Sequence, residues 1–328
     1  MASCLVAPRI VHPPARLPPS HPGQFSVGSL NILTPRFSTV DYYPYVPDRF
    51  RQWSFRRPLL VERLRALDVD VLCCQEAHGE DQSIMADLES VGYKAVAPNE
   101  PRSGIEKPVT FVKESKFSVV AVDHRSRASL LALREVTHEP SGETAQGGGL
   151  VLFVANVHLQ GEPSAQATRR SQLESACRRF SKMRRDLGVD TQSSCAVIVG
   201  DFNEMAGTPL HSELQEVGPD AFPGRHGSWK LMDAYGALPS PPATFRAEGR
   251  KDRIDFIYHS TNLEASALLW PLSEDEEAKL GWSLTRWPPW PDLLPSGWYP
   301  SDHLPLAGSF MFRAPRPCDK VPGHKRGD

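Results

Sequence analysis

Acid, amide and imidazole side chains recur at the ends of apolar runs in this chain. Val71-Leu72-Cys73-Cys74-Gln75-Glu76 delivers a carboxylate behind an apolar run, and Val197-Ile198-Val199 leads into Gly200-Asp201-Phe202-Asn203. Val154-Ala155-Asn156-Val157-His158 ends in an imidazole, and Asn31 lies in Ser29-Leu30-Asn31-Ile32-Leu33. Ser301-Asp302-His303 joins a carboxylate to an imidazole, with Asp255 upstream in Arg253-Ile254-Asp255-Phe256-Ile257. Carboxylates are the hard oxygen ligands that Mg²⁺ takes, which makes Glu76 a candidate ligand; a helix cap or an exposed loop acid is the competing reading. In the Gly200 to Asn203 segment, glycine lets the backbone turn tightly, Asp201 can act as base on a water, and Asn203 offers amide donors to a phosphate. On a loop, Asp302 and His303 can divide labour between metal and phosphate. Taken singly, Asn31 reads as a turn residue and His158 as a structural histidine.

The elements that would carry these residues alternate between helix and strand. Gln24 to Leu33 reads as the first strand, with Phe25, Val27, Leu30 and Ile32 among small polar residues. Leu60, Leu64 and Leu67 at i, i+4 and i+7 predict an amphipathic helix over Arg56 to Leu67, with Pro58 suited to its first turn. Val69 to Gln75 is a short continuous apolar run, as expected of a strand covered on both faces, Cys195 to Val199 is another buried strand, and Leu150 to His158 reads as a further strand. Further strands are expected over Ser129 to Val136, Asp252 to His259 and Leu306 to Phe312. A long helix is expected over Ser164 to Leu187, its apolar stripe opposed by Arg169, Arg170, Arg178, Arg179, Lys182, Arg184 and Arg185, which reads as a solvated face. Interleaved strands and helices without a repeat indicate one layered α/β domain, whose ligands sit at strand carboxyl ends.

Composition narrows the function classes. The chain has 37 Lys+Arg and 39 Asp+Glu, net −2, so it is no polycation that coats nucleic acid, and an anionic substrate needs a local site. No apolar run reaches the roughly 18–20 residues of a membrane span. The six cysteines show no Cys-x-x-Cys pair, which favours a reduced, intracellular setting, cytoplasmic or nuclear. Residues 1 to 40 contain no Asp or Glu, so the amino end fits either a mitochondrial or plastid transit peptide or an ordinary disordered leader. Residues 270 to 300, rich in Trp and Pro, read as an insertion whose aromatics pin it to the body; base stacking is the alternative.

The order of the candidate residues and their shared strand-end setting resemble the endonuclease/exonuclease/phosphatase superfamily of metal-dependent phosphoesterases, over about Gln24 to Phe312. Within it, Trp53-Ser54-Phe55-Arg56-Arg57-Pro58-Leu59-Leu60 leading into the Gln75-Glu76 strand resembles the carbon catabolite repressor-type deadenylases and their relatives, nocturnin and the Angel proteins. The resemblance implies a four-layer α/β sandwich of two mixed β-sheets flanked by helices, with the site in a cleft at one edge. It implies Glu76 as principal Mg²⁺ ligand, Mn²⁺ being the substitute, with Asn31 and Asp302 close to the metal's water or a second metal. Asp201 would activate the attacking water, Asn203 and His158 would hold the scissile phosphate, and His303, oriented by Asp255, would stabilise charge on phosphorus. Pro163 follows His158 at the relatives' interval for a base-packing proline, and Thr244-Phe245 would supply a stacking ring, at a wider interval from Asp255 than in the relatives. Ile105 to Thr110 departs from the relatives' Asp-Gly-Cys-Ala-like run, and Glu106 and Lys107 would reshape the substrate pocket.

These implications give residues 1–23 as a disordered or targeting leader, 24–312 as the catalytic domain and 313–328 as a disordered tail. The expected function is Mg²⁺-dependent hydrolysis of RNA phosphodiesters as a 3′-exonuclease resembling poly(A) deadenylases. A phosphatase or phosphodiesterase acting on a small nucleotide is the alternative, followed by a DNA repair endonuclease and a binding module with a dead site. Docking to a deadenylase scaffold through leucine-rich repeats is not expected, and neither is a membrane partner.

Overall fold

A computed structural model describes residues 7–21, 23–78, 83–98, 106–136, 150–217, 229–247, 250–281 and 294–313. Across its first sheet run β1 (Arg9–Val11), β14 (Leu263–Leu269), β15 (Leu306–Phe312), β2 (Gln24–Asn31), β3 (Val71–His78), β5 (Lys107–Lys113) and β4 (Tyr93–Val96). The second holds β10 (Leu231–Asp233), β13 (Asp255–Ser260), β9 (Ser194–Asp201), β8 (Val151–His158), β7 (Ala128–Glu135) and β6 (Phe117–His124). β11 (Phe245–Ala247) and β12 (Arg250–Asp252) form a separate ribbon. Each main sheet has a parallel pair at its centre, β2 with β3 and β8 with β9, among antiparallel neighbours.

Side-chain alternation explains the layering. In β8, Phe153, Ala155 and Val157 pack with Leu173, Ala176 and Phe180 of α4 (Gln166–Asp186), while Leu152 and Val154 turn inward. In β2, Phe25 and Val27 turn inward to meet them, and Leu30 faces Leu60 and Leu64 of α2 (Trp53–Leu67). The inner core, with Val71, Cys73, Val197, Val199 and Ile257, thus lies between two sheets, and helices cover the outer faces. This is the expected four-layer sandwich.

Three expectations need correction. Arg9 to Val11 is no disordered leader: it pairs in parallel with β14, Val11 is buried, and Ser20 Oγ donates to Asp70 Oδ2 at 2.6 Å. Prolines spoil a helix but leave room for a three-residue edge strand. Arg169 and Arg184 are not on a solvated face of α4; both are buried, Arg169 in an ion pair with Glu204 and in bonds to the carbonyls of Gln160, Glu162 and Pro163. Arg313, placed in the tail, bonds Glu264 at 2.7 Å and Asn262 O at 2.9 Å. The pinning expected of the 270–300 insertion holds for Tyr299, fully buried with Leu272, Leu280, Leu294 and Leu304, with Trp298 packed against them. Trp282, Trp287 and Trp290 lie outside the described residues.

Candidate active site

The alternation that builds the inner core also aims the candidate side chains. His158 follows Leu152, Val154 and Asn156 on the inward face of β8; Asp201 follows Val197 and Val199 on β9; and Asp255 precedes Ile257 on β13. Register places His158 opposite Asp201 and Asp201 opposite Asp255. Three neighbouring strands therefore present an imidazole and two carboxylates at one end of the sandwich, all at most 6% exposed. Gly200 makes this approach possible, though as a strand residue rather than a turn. With φ +136°, a Cβ there would stand 2.1 Å from Val157 O and 3.0 Å from Gln75 Nε2.

Glu76 breaks the alternation. Cys74 and Ala77 face the helices and Gln75 faces inward, bonding Asn156 Oδ1 across the sheets at 2.8 Å. Strict period two would send Glu76 toward the helices. Instead β3 carries a register shift after Cys74, and Glu76 has φ +60°, which turns its carboxylate to the cleft. Leu33 (φ 53°) and Asn203 (φ 50°) are also left-handed. Such positions cost on the order of 1–3 kcal/mol each and persist where surrounding bonds over-determine them. Here Asn31 Oδ1 accepts from Leu33 N at 3.0 Å, and Asp201 Oδ1 accepts from Asn203 N at 2.8 Å.

Hydrogen bonds join the two sheets across the site. Asn31 Nδ2 donates to Glu76 Oε1 and Asp201 Oδ2, both at 3.1 Å, and Thr34 N donates to Glu76 Oε2 at 2.8 Å. His303 Nδ1 bonds Asp255 Oδ2 at 2.9 Å, and its Nε2 lies 3.7 Å from Asp201 Oδ2. His158 Nε2 stands 3.7 Å from the same Asp201 oxygen and 3.8 Å from Glu76 Oε1. Asp302 accepts from Tyr43 Oη at 2.7 Å. Thr244 Oγ1 accepts from the backbone N of Ile254 and Asp255, setting the start of β13.

Burial dominates the charges. It pushes the Glu76 carboxyl up to about 7, against the bonds from Thr34 and Asn31, and it raises Asp201 while His303 opposes the rise. His158 is pushed down to about 4 by burial, so it is a neutral imidazole at pH 7. Burial would lower His303 too, but Asp255, Asp201 and Asp302 outweigh it and hold the ring well above its usual value, as an imidazolium.

Glu76, Asp201, Asp255 and Asp302 thus crowd one buried region, and that donor set suits a hard divalent cation. Among the described residues, ligand atoms of Asp201, Asp255 and His303 come within 4.8 Å of one another. The Asp255–His303 bond explains that trio without an ion, and an imidazolium is no metal ligand. Glu76 and Asp201, linked by Asn31, are the better oxygen pair. Asn31 offers them its amide N–H, while its own oxygen is taken by Leu33, so it positions carboxylates in this structure.

Of the remaining sequence candidates, Asn203 is half-buried and donates from Nδ2 to Leu159 O at 3.0 Å. Phe245 packs edge-on against His303, ring centroids 5.1 Å apart, with Arg250 over its face at 5.3 Å. Pro163 is exposed on the loop that Arg169 holds. Glu106 is buried. Sequence reading missed Tyr43 and Thr34. It also missed the role of Arg56, which is fully buried and binds the carbonyls of Ile32 (3.3 Å), Leu33 (2.7 Å) and Pro300 (2.9 Å). The run Trp53 to Leu60 was the available signal.

The model of the endonuclease/exonuclease/phosphatase family matches residues 28–303. The chain belongs to that family. Among curated members, it is similar to the CCR4-Not complex 3′-5′-exoribonuclease subunit Ccr4 of Candida albicans, 22% identical over 91% of this chain and 42% of that one. The Schizosaccharomyces pombe Ccr4 is 24% identical over 92% of this chain and 52% of its own. The chain spans about half the length of these curated relatives. Its fold is similar to that of ANGEL2, a 2′,3′-cyclic phosphatase solved with adenosine-2′,3′-vanadate, at TM-score 0.69 and 22% identity over 88% of this chain and 96% of that one. The human nocturnin catalytic domain, solved with a bound sulfate, gives TM-score 0.58 and 18% identity over 89% and 96%. The Asp201, Asp255 and His303 geometry of this family member lies wholly within the matched span.

Proposed function

We propose that this chain is a divalent-metal-dependent phosphodiesterase that shortens RNA from its 3′ end, with Mg²⁺ as the working ion. The observation that carries the reading is the convergence on Asp201 of an amide (Asn31), a neutral imidazole (His158) and an imidazolium (His303), with Glu76 joined to it through the same Asn31 amide. The similarity to Ccr4 exoribonucleases supports RNA as substrate. No helix among the described residues is long and apolar enough to cross a membrane.

Glu76 and Asp201 would hold the cation, with Asp302 beside them; bound there, it would neutralise the non-bridging oxygens of the phosphate and acidify water. The chain's own groups do the rest. Asp201 takes the proton of the water as its oxygen bonds to phosphorus, and the bond from phosphorus to the 3′-oxygen breaks, the 3′-oxygen staying on the shortened RNA and taking a proton from solvent. His158, neutral and buried, gives one N–H to a phosphate oxygen. His303 gives its Nε2–H to the charge that builds on phosphorus, while Asp255 fixes the ring through Nδ1.

Purified protein with Mg²⁺, offered poly(A), mixed RNA, abasic DNA, inositol phosphates and NADP, tests the reading. Nucleoside 5′-monophosphates released from RNA are the expected product. Turnover of NADP to inorganic phosphate with RNA untouched would replace the nuclease by a small-nucleotide phosphatase.

A further inference from the structure

Beside the acid cluster lies a second polar pocket. A cavity of about 180 Å³ opens between the β6–β7 turn and α4, lined by Arg125, Arg127, Ser171, Gln172 and Ser175. Both of its charged side chains among these are cations. Arg127 belongs to this cavity and to the active site together: its backbone oxygen accepts from His158 N at 3.0 Å, and Glu76 and Asp201 both act on its charge. The guanidinium is half-buried and donates through Nη2 to Gln160 Oε1 at 2.8 Å. The backbone N of Gln160 in turn donates to Gln172 Oε1 at 2.9 Å, so Gln160 ties the turn to the helix and holds the wall in place. Nε and Nη1 of Arg127 bond no described residue, and neither is buried without a partner.

A planar guanidinium with one edge anchored and the other open is suited to two parallel bonds to a phosphate. On the nuclease reading the scissile phosphate is served by His158 and His303, whose Nε2 atoms both lie 3.7 Å from Asp201 Oδ2. A 3′-exonuclease bound at the end of its substrate has one neighbouring backbone phosphate, on the 5′ side. We propose that the Arg125–Arg127 cavity is the subsite for the phosphate immediately 5′ of the scissile one, with Arg127 as its principal ligand and Arg125 the outer cation. The inference rests on the nuclease reading above and adds where the RNA backbone leaves the cleft: over the β6–β7 turn toward α4. Each serine and Gln172 adds a neutral donor, and at about 30 Å³ per water the cavity has room for a phosphate group with part of its hydration.

The test uses two oligoadenylates identical except at that one linkage, a phosphate in the first and an uncharged methylphosphonate in the second. Wild-type protein should show kcat/KM roughly 10- to 100-fold lower on the methylphosphonate RNA, the range of a lost charge-assisted pair. Arg127→Ala should fall by the same factor on the all-phosphate RNA and no longer distinguish the two; Arg127→Lys should keep part of the discrimination. Equal rates of the wild type on both RNAs overturn the subsite, and so does an Arg127→Ala variant that still discriminates. Cleavage of neither RNA would refute the nuclease reading, and binding of the two RNAs to wild-type protein in EDTA, followed by fluorescence anisotropy, then decides the subsite separately. Tighter binding of the all-phosphate RNA supports it, and equal binding overturns it.

Discussion

Glu76 and Asp201 come from different sheets yet share one donor, the Nδ2 of Asn31, at 3.1 Å from each. Two buried carboxylates that each lean toward protonation are thereby held close enough to face one cation. Asn31→Ala removes this tie without adding charge. Hydrogen bonds to charged groups contribute about 1.5–3 kcal/mol, so kcat/KM on RNA should drop about 10- to 150-fold, with a raised Mg²⁺ requirement. An Asn31→Ala protein with wild-type rate and Mg²⁺ dependence would show that the amide does not organise the pair.

His303 and Asp255 should behave as one unit. The 2.9 Å bond fixes the ring, and the ring's remaining nitrogen faces Asp201. Asp255→Ala and His303→Ala should each cost most of the activity, and the double variant little more, because groups acting together are non-additive. Multiplying losses in a double-mutant cycle would contradict this.

Stability of the metal-free protein should fall with pH on the alkaline side. Glu76 titrates near 7 when folded and near 4.5 in its ordinary state, so its contribution is complete below 4.5 and lost as pH rises through 7. His303, also raised, has the same sign, lost as pH passes its folded value. His158, lowered to about 4, opposes them only up to its ordinary value of 6.5. Above that the decline stands alone. Mg²⁺, binding the ionised carboxylates, should therefore raise Tm more at pH 8 than at pH 6, and Glu76→Gln should flatten the difference. A Mg²⁺ effect on wild-type Tm that shrinks with pH would contradict the assignment of Glu76.

Arg56 should be a structural cation. It spans the carbonyls that follow Asn31 and the one that precedes Ser301 and Asp302, so it ties two site segments together; burial lowers it to about 10 without neutralising it. Arg56→Met leaves three carbonyls unpaired and should cost about 3–5 kcal/mol in urea denaturation. Arg56→Lys, lacking the planar fork, should recover only part. An unchanged urea midpoint in Arg56→Met would remove this role.

What the sequence discloses here depends on range. Strand alternation is local, so the inward aim of His158, Asp201 and Asp255 follows from counting residues along Val151–His158, Ser194–Asp201 and Asp255–Ser260. Glu76 stands out in the sequence by type and position, yet the same counting would turn it to the helices; the irregularity that redirects it involves β5, some thirty residues along the chain. Tyr43 and Arg56 act through partners 259 and 244 residues away, and no periodicity announces such contacts. β1 escaped notice for the same reason: three residues in a proline-rich stretch become a strand only because β14 is there to pair with them. Phe245 packs edge-on against His303, so its loss should disturb the imidazole as well as any base.

The rate of nucleotide release from poly(A) as a function of Mg²⁺ concentration, for wild type and Glu76→Gln, tests the central claim most directly. The side chain is nearly isosteric, and burial already favours the neutral carboxyl, so the variant should fold as wild type does. Wild type should release AMP with saturable dependence on Mg²⁺ and none in EDTA. Glu76→Gln should be slower by about 100-fold or more, equivalent to about 2.7 kcal/mol, and should need more Mg²⁺. Matching curves, or release that persists in EDTA, would contradict a metal-assisted phosphodiesterase centred on Glu76 and Asp201.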